Sequence, residues 1–242
     1  MIKIHNVWEV MNRITKRVVK DENKYIKRHR KIDFLYILTF IVMYSCNTSS
    51  INSTIKKICK FDDMKTVAAG SICDARKRFS VDSLKRYYHS IISIVNPCLY
   101  GSRTRRFFAV DGSKITIPDT FPNKSEYVNT GGCYNFGTLS GLYDIVNNVV
   151  YDFVFSPSSD ERSLMEKHFQ FLRKYDVVIC DRGYYSKKFI YKLLSIKVDF
   201  IFRIRKNLEI FKEIYNHSNK NDITIEYECN HIKTQIRVVR YK

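Results

Sequence analysis

Two short stretches hold the residues best suited to chemistry, VDGSK around Asp111 and CDRGYYS around Asp181. Each follows an apolar, strand-like run, FFAV or VVIC, and each has a glycine within two residues of the acid, Gly112 or Gly183. A carboxylate set where a buried strand stops can face solvent while the strand fixes its position. Two of them on neighbouring strands present hard oxygen ligands, the kind Mg²⁺ prefers. Two such ions about 3.5–4 Å apart activate the attacking oxygen and relieve charge on the leaving oxygen in phosphodiester cleavage. Asp111 and Asp181 are therefore the candidate catalytic and metal-holding residues, with Mg²⁺ or Mn²⁺ as cofactor. Gly112 and Gly183 are expected to let the backbone turn sharply and a nucleic-acid strand come close. A single aspartate after a strand is an ordinary turn residue. The pair carries the argument.

Charge supplies the substrate class. The 242 residues include 42 Lys and Arg against 24 acids, a formal net charge of +18. Such an excess speaks to partners rather than fold, with nucleic acid ahead of an anionic membrane surface. Arg182, beside the second acid, and Arg203, Arg205 and Lys206, after the next strand, are candidate phosphate contacts. Arg76, Lys77 and Arg78 form a second candidate DNA-binding cluster, on a helical segment. Solvated surface charge is the competing account for each of these cations. With 45% hydrophobic and 14% aromatic residues, the chain can bury a core and is not wholly disordered.

Seven scattered cysteines with no CxxC pair argue against a zinc site and a disulfide framework. Their odd count, with no secretory signal, predicts an intracellular, cytoplasmic protein, at a bacterial nucleoid or in a viral host cell. The apolar run Phe34–Tyr44 is about half of the roughly 20 residues a membrane span needs, so it reads as a core helix. No membrane and no small-molecule substrate are expected.

The elements that position the acids follow from hydrophobic period. Residues 1–31 are polar and basic: a solvated face, a frayed arm or a phosphate-contacting surface. From Ile32 to Asn96 the spacing is helical: Phe34–Tyr44, a helix capped by Asn52 or Ser53, Val67–Phe79, and a helix from Ser80 that Pro97 ends. Short helices with a basic cluster fit a DNA reader or a plain bundle. After a linker at 97–106 the period becomes that of strands: 106–111, 114–117, 139–145 and 149–155, the last two joined by a tight Asn147-Asn148 turn. A helix capped by Ser159 or Asp160 follows, with His168 as a core histidine. Then come strand Val177–Cys180, helix Ser186–Ser195 and strand Phe200–Ile204. A meander followed by right-handed crossovers gives a mixed α/β sheet of ribonuclease-H-like order, in which the strands carrying Asp111 and Asp181 lie side by side. Tyr184 and Tyr185 are read as packing residues. Ile223–Cys229 and Lys233–Arg240 form a second β region appended to the sheet. The division is therefore an all-α DNA-binding region at 1–100, an incomplete catalytic core at 101–206 and the start of a β-strand insertion at 207–242.

VDGSKITIP and CDRGYYSKKFIYKLLSIKVDFIFRIRKN resemble the DDE transposases of bacterial insertion sequences, above all the insertion-sequence-four family. LYDIVNNVVYDFVFSP, SSDERSLMEKHFQFL and AAGSICDARKRFSVDSLKRYY are similar to other parts of that family, so the resemblance spans about residues 34–240. It implies a ribonuclease-H-like core and two-metal cleavage and strand transfer of double-stranded DNA at transposon ends. Asp111 and Asp181 match the first two catalytic acids. The third is a glutamate on a helix beyond the β insertion, and Lys242 precedes any such helix. The expectation is thus a truncated transposase with an incomplete two-metal site, a homodimer being among its assemblies. Two alternatives stay open: an inactive DNA-binding remnant that inhibits full-length transposase, and another ribonuclease-H-like nuclease.

Overall fold

A computed structural model describes residues 32–45, 49–61, 65–77, 81–100, 105–118, 120, 124–129, 134–157, 160–204 and 221–239. The basic stretch 1–31, the caps proposed at Ser80 and Ser159, Arg78, Arg205 and Lys206 lie outside them. The chain divides into two compact units, Met1–Cys98 and Leu99–Lys242.

The described elements of the first unit are helices: α1 (Phe34–Ser45), α2 (Ile51–Phe61), α3 (Ala69–Lys77) and α4 (Val81–Tyr100). The Asp33 carboxylate accepts the Tyr36 N–H at 2.8 Å and starts α1. Ser50, rather than Asn52 or Ser53, caps α2, its Oγ accepting the Ser53 N–H at 3.2 Å. Tyr36 and Phe40 of α1 pack on Ile55 and Ile58 of α2 and Ile72 of α3. α4 runs through Pro97 to Tyr100, so the proline does not stop it. Proline lacks one N–H, which removes a single hydrogen bond from a helix near its end.

The second unit is built on a six-stranded mixed sheet: β1 (Phe107–Ile117), β2 (Val128–Asn129), β3 (Asn135–Asp144), β4 (Val149–Ser156), β5 (Val177–Cys180) and β6 (Asp199–Phe202). Its order is β2-β3-β1-β5-β6, with β4 also on β3. β1 and β3 run antiparallel from Phe108↔Asp144 to Ile117↔Asn135. β5 lies parallel to β1 and β6 parallel to β5. The sequence reading broke β1 in two after Asp111. The strand instead continues to Ile117, because β3 supplies ladder partners along that whole stretch. The β3–β4 connection is a four-residue turn at 145–148, longer than the two-residue turn expected. The Asp144 carboxylate organises it, accepting the Val146 and Asn147 N–H groups at 3.0 Å each.

Crossovers bring the chain back across the sheet. α5 (Glu161–Glu166) separates β4 from β5, and α6 (Lys187–Ser195) separates β5 from β6. Asp160 caps α5 and Ser186 caps α6. α5 packs against β1 and β3, burying Leu164 and Met165. Two buried polar networks tie these parts together. Arg106, at the foot of β1, donates to both carboxylate oxygens of Asp176, at the foot of β5, at 3.0 and 2.5 Å. It also donates to the Tyr151 hydroxyl and the Phe171 carbonyl. His168 contacts Asp152 on β4 at 2.6 Å and Ser140 on β3 at 3.1 Å.

Among the described residues, β7 (Asp222–Cys229) and β8 (Ile232–Val239) pair only with each other, as a separate two-stranded sheet. They do not extend the main sheet as the sequence reading expected. Tyr227 of β7 packs instead on Ile190 of α6. Asn230 and His231, at φ 47° and 65°, turn the hairpin with both residues in the left-handed region.

Candidate active site

The parallel ladders end together. The last β1–β5 pair is Val110↔Cys180 and the last β5–β6 pair is Cys180↔Phe202. One residue further along the three strands stand Asp111, Asp181 and Arg203. Adjacent strands lie about 4.8 Å apart, so this register sets the two aspartates side by side with the arginine next in the row. Alternation also puts Asp111 on the face opposite buried Val110, and extended backbone at Asp181 (φ −71°, ψ 168°) does the same relative to Cys180. Both aspartates are exposed. Asp111 keeps its ladder partner Gly141 on β3, so it is held within a strand rather than at a strand end.

Asp181 opens the short turn Arg182–Tyr184 without capping it through its side chain. No hydrogen bond or ion pair to a described residue engages either carboxylate. Arg162, exposed near the start of α5, fastens this turn by donating two hydrogen bonds to the Gly183 carbonyl, at 3.0 and 2.8 Å. Tyr184 is buried, and its hydroxyl has no hydrogen-bond partner. Burial, then the charges of Glu161, Asp111, Cys180 and Asp181, push that phenol well above its usual range. Tyr185 packs edge-on against Phe202 with centroids 6.1 Å apart.

Gly112 does not turn the chain as expected, whereas Gly183 lies in the short turn Arg182–Tyr184. Neither adopts a positive φ. Gly112 lies within β1, and a Cβ there would sit 2.9 Å from Cγ and Cδ of Glu161. Its bare backbone is what lets Glu161 lie on the strand. Around Gly183 there is open space, which suits a close approach from outside.

The other predicted cations are spread out. Arg182 and Arg203 are exposed beside the acids, and the Arg203 N–H donates to the Cys180 carbonyl at 3.3 Å. Arg76 and Lys77 are exposed in the first unit, Lys77 paired with Asp74 at 3.4 Å. Tyr184 packs against Phe189, as expected, while the contacts of Glu161 with β1 and of Arg162 with the Asp181 turn were missed. The DER motif after the β4 loop marks a helix start, but nothing local says that this start rests on β1.

Ser140, His168 and Asp152 line up in the way a hydrolase triad does. All three are fully buried, so no substrate reaches the serine, and the row serves to join β3, β4 and the segment after α5. Among the described residues no set of three or more His, Cys, Asp or Glu side chains closes within ligand distance of one point. Nor is any described helix long and apolar enough to cross a membrane.

Residues 102–241 match the transposase DDE domain family, a span of more than half the chain that includes both aspartates and all the strands. The chain belongs to that family. No curated protein matches it significantly. Among solved structures it is similar to the cryo-EM structure of the piggyBac transposase synaptic complex with hairpin DNA. That likeness has a TM-score of 0.37 and 11% identity, over 94% of this chain and 49% of the other. The chain thus spans about half the length of that transposase.

Proposed function

We propose that this DDE-domain chain acts in DNA transposition, through metal-dependent cleavage and strand transfer of double-stranded DNA at transposon ends. The observation that carries the reading is the shared ladder end of β1 and β5, which brings Asp111 beside Asp181. The order β4-β3-β1-β5-β6, with its helical crossovers, supports a ribonuclease-H-like core at 101–206. Membership of the insertion-sequence-four branch, a helical DNA-binding region at 1–100 and a β insertion from 207 belong to the same proposal and rest on the resemblance of the sequence motifs.

The residues fit a divalent cation. Mg²⁺ is commonly held by one or two carboxylates while it keeps several waters, and two exposed aspartates on fixed backbone meet that need. When bound, Mg²⁺ or Mn²⁺ supplies activation of the attacking oxygen and neutralisation of the leaving one. Asp111 and Asp181 hold the site and set its distance from the sheet. Arg203 and Arg182 receive the phosphate oxygens flanking the scissile bond. The open backbone at Gly183 lets the sugar–phosphate chain lie close.

The test is nicking of DNA that carries the terminal repeats flanking this gene. The reading predicts Mg²⁺- or Mn²⁺-dependent nicks at the element boundary that Asp111→Asn abolishes while DNA binding persists. Nicking that survives Asp111→Asn would refute it. The net charge of +18 favours one second reading, a DNA-binding inhibitor of transposition. Salt-sensitive binding to the ends with no nicking in either metal would select it.

A further inference from the structure

The two acids are not held alike. Asp111 stays within a ladder, paired with Gly141 on β3. Asp181 has no such partner, because the β1–β5 and β5–β6 ladders both end at Cys180. A residue just beyond the last ladder pair opens readily unless the chain after it is restrained. One local bond closes the turn that follows, the Tyr184 N–H donating to the Asp181 carbonyl at 3.1 Å. The Tyr184 ring is buried, with its centroid 6.4 Å from that of Phe189 on α6. Between these anchors Gly183 is exposed and has open space around it. Holding Asp181 in register with Asp111 calls for a tether at that point.

Arg162 supplies it. An exposed arginine on a short helix is ordinarily a solvated charge. This one aims Nε, at 3.0 Å, and Nη2, at 2.8 Å, at a single acceptor, the Gly183 carbonyl. The planar guanidinium presents both donors in a fixed fork, so it sets the direction of that carbonyl as well as binding it. The helix end of the tether is firm. Asp160 caps α5, and Leu164 and Met165 anchor it in the core. The same first turn rests on β1 next to Asp111, where a Cβ at Gly112 would stand 2.9 Å from Cγ and Cδ of Glu161. That contact is on the sheet face opposite the Asp111 side chain, so Glu161 acts there as a spacer between helix and strand. The start of α5 thus touches the backbone of one acid's segment through Glu161 and of the other's through Arg162.

We propose that Arg162 is a positioning residue of the Asp111–Asp181 site: it pins the turn after Asp181 to the helix that rests on β1, and so fixes the spacing of the two carboxylates that share a divalent cation. The inference rests on the reading of Asp111 and Asp181 as the cation's ligands and deepens it. Arg162 bonds to neither carboxylate and acts through the Gly183 backbone. Its own charge works against the role, since a guanidinium near the site repels a metal ion. Losing Arg162 therefore has a geometric and a Coulombic effect of opposite sign, which makes the two separable.

Mn²⁺ titration of the 242-residue chain by electron paramagnetic resonance, with amide hydrogen exchange of the metal-free protein, tests the claim. Groups that orient a metal's ligands typically contribute about 10–100-fold in affinity, so Arg162→Met should weaken Mn²⁺ binding by about 10-fold although it removes a positive charge. In the metal-free variant the Tyr184 N–H should exchange faster, while amides of the β1–β3 ladder keep wild-type protection, which excludes a general loss of structure. Arg162→Lys, which keeps the charge and offers the carbonyl one donor group in place of the fork, should fall between the two in both readouts. Asp111→Asn should lose binding altogether. Arg162→Met binding Mn²⁺ as well as wild type or more tightly, with binding lost in Asp111→Asn, would overturn the role of Arg162 and leave the aspartate pair standing. Weaker binding with Tyr184 exchange unchanged would overturn it too, since the turn would not have moved. Wild type binding no better than Asp111→Asn would overturn both readings.

Discussion

Arg106→Met is the substitution whose cost the fold dictates most clearly. The guanidinium is 1% exposed and the Asp176 carboxylate 4%. It makes two hydrogen bonds to that carboxylate, one to the Tyr151 hydroxyl and one to the Phe171 carbonyl, and lies 4.9 Å from the Phe108 ring centroid. Methionine fills much of the space and the stem contacts, but Asp176 would keep only the Arg173 N–H, at 2.6 Å. Breaking a buried pair from one side costs about 3–5 kcal/mol, because a charge is left uncompensated. Against a typical total of about 5–15 kcal/mol, that is a large share of the stability of this unit. Urea unfolding followed by far-UV circular dichroism should show a much lower midpoint with an unchanged slope. Arg106→Met with Asp176→Leu should recover most of the loss, since no lone charge then remains. A single variant within about 1 kcal/mol of wild type, or a double variant less stable than the single, would refute the reasoning.

Other consequences are smaller and independent. Burial pushes the Cys180 thiol from 9.0 up to about 12, whereas Cys59 and Cys73 are only partly buried. Iodoacetamide at pH 8 should therefore label Cys180 after Cys59 and Cys73, and equal labelling rates at the three would contradict its burial. Because the fold favours the protonated thiol, its contribution to stability is complete below pH 9.0 and should decline as pH rises towards about 12. Equilibrium unfolding across that range, in wild type and Cys180→Ala, checks the sign. His231→Gly should stabilise the β7–β8 hairpin by about 0.5–1 kcal/mol, since φ 65° suits glycine better than histidine. A lower melting temperature would count against the turn as described.

Much of this fold can be read in the chain because its signals are local. FFAV and VVIC are short apolar runs bounded by polar residues, and both became strands where expected. The caps at Asp160 and Ser186 sit where a polar side chain precedes an amphipathic run. The proximity of Asp111 to Asp181 was legible too, because crossover handedness limits how two such strands can neighbour each other. What could not be read depended on distant partners. β1 continues past Gly112 only because β3 pairs with it, and β7–β8 stays apart from the main sheet while Tyr227 packs on α6. Gly112 looked like a turn residue because glycine permits turns. Its actual constraint comes from Glu161 on a helix nearly fifty residues later, which no local pattern announces. Arg106 likewise read as the edge of a strand until Asp176 was seen beside it.

The central claim is that the carboxylates of Asp111 and Asp181 share a divalent cation. Crystals of the chain grown with Mn²⁺ and measured at the manganese edge test it directly. The account predicts an anomalous peak at the shared end of β1 and β5, with an oxygen from each aspartate within about 2.0–2.6 Å of it, the range of hard-cation ligands. Crystals with manganese bound elsewhere and this end bare, or with the two side chains turned to opposite faces of the sheet, would contradict it.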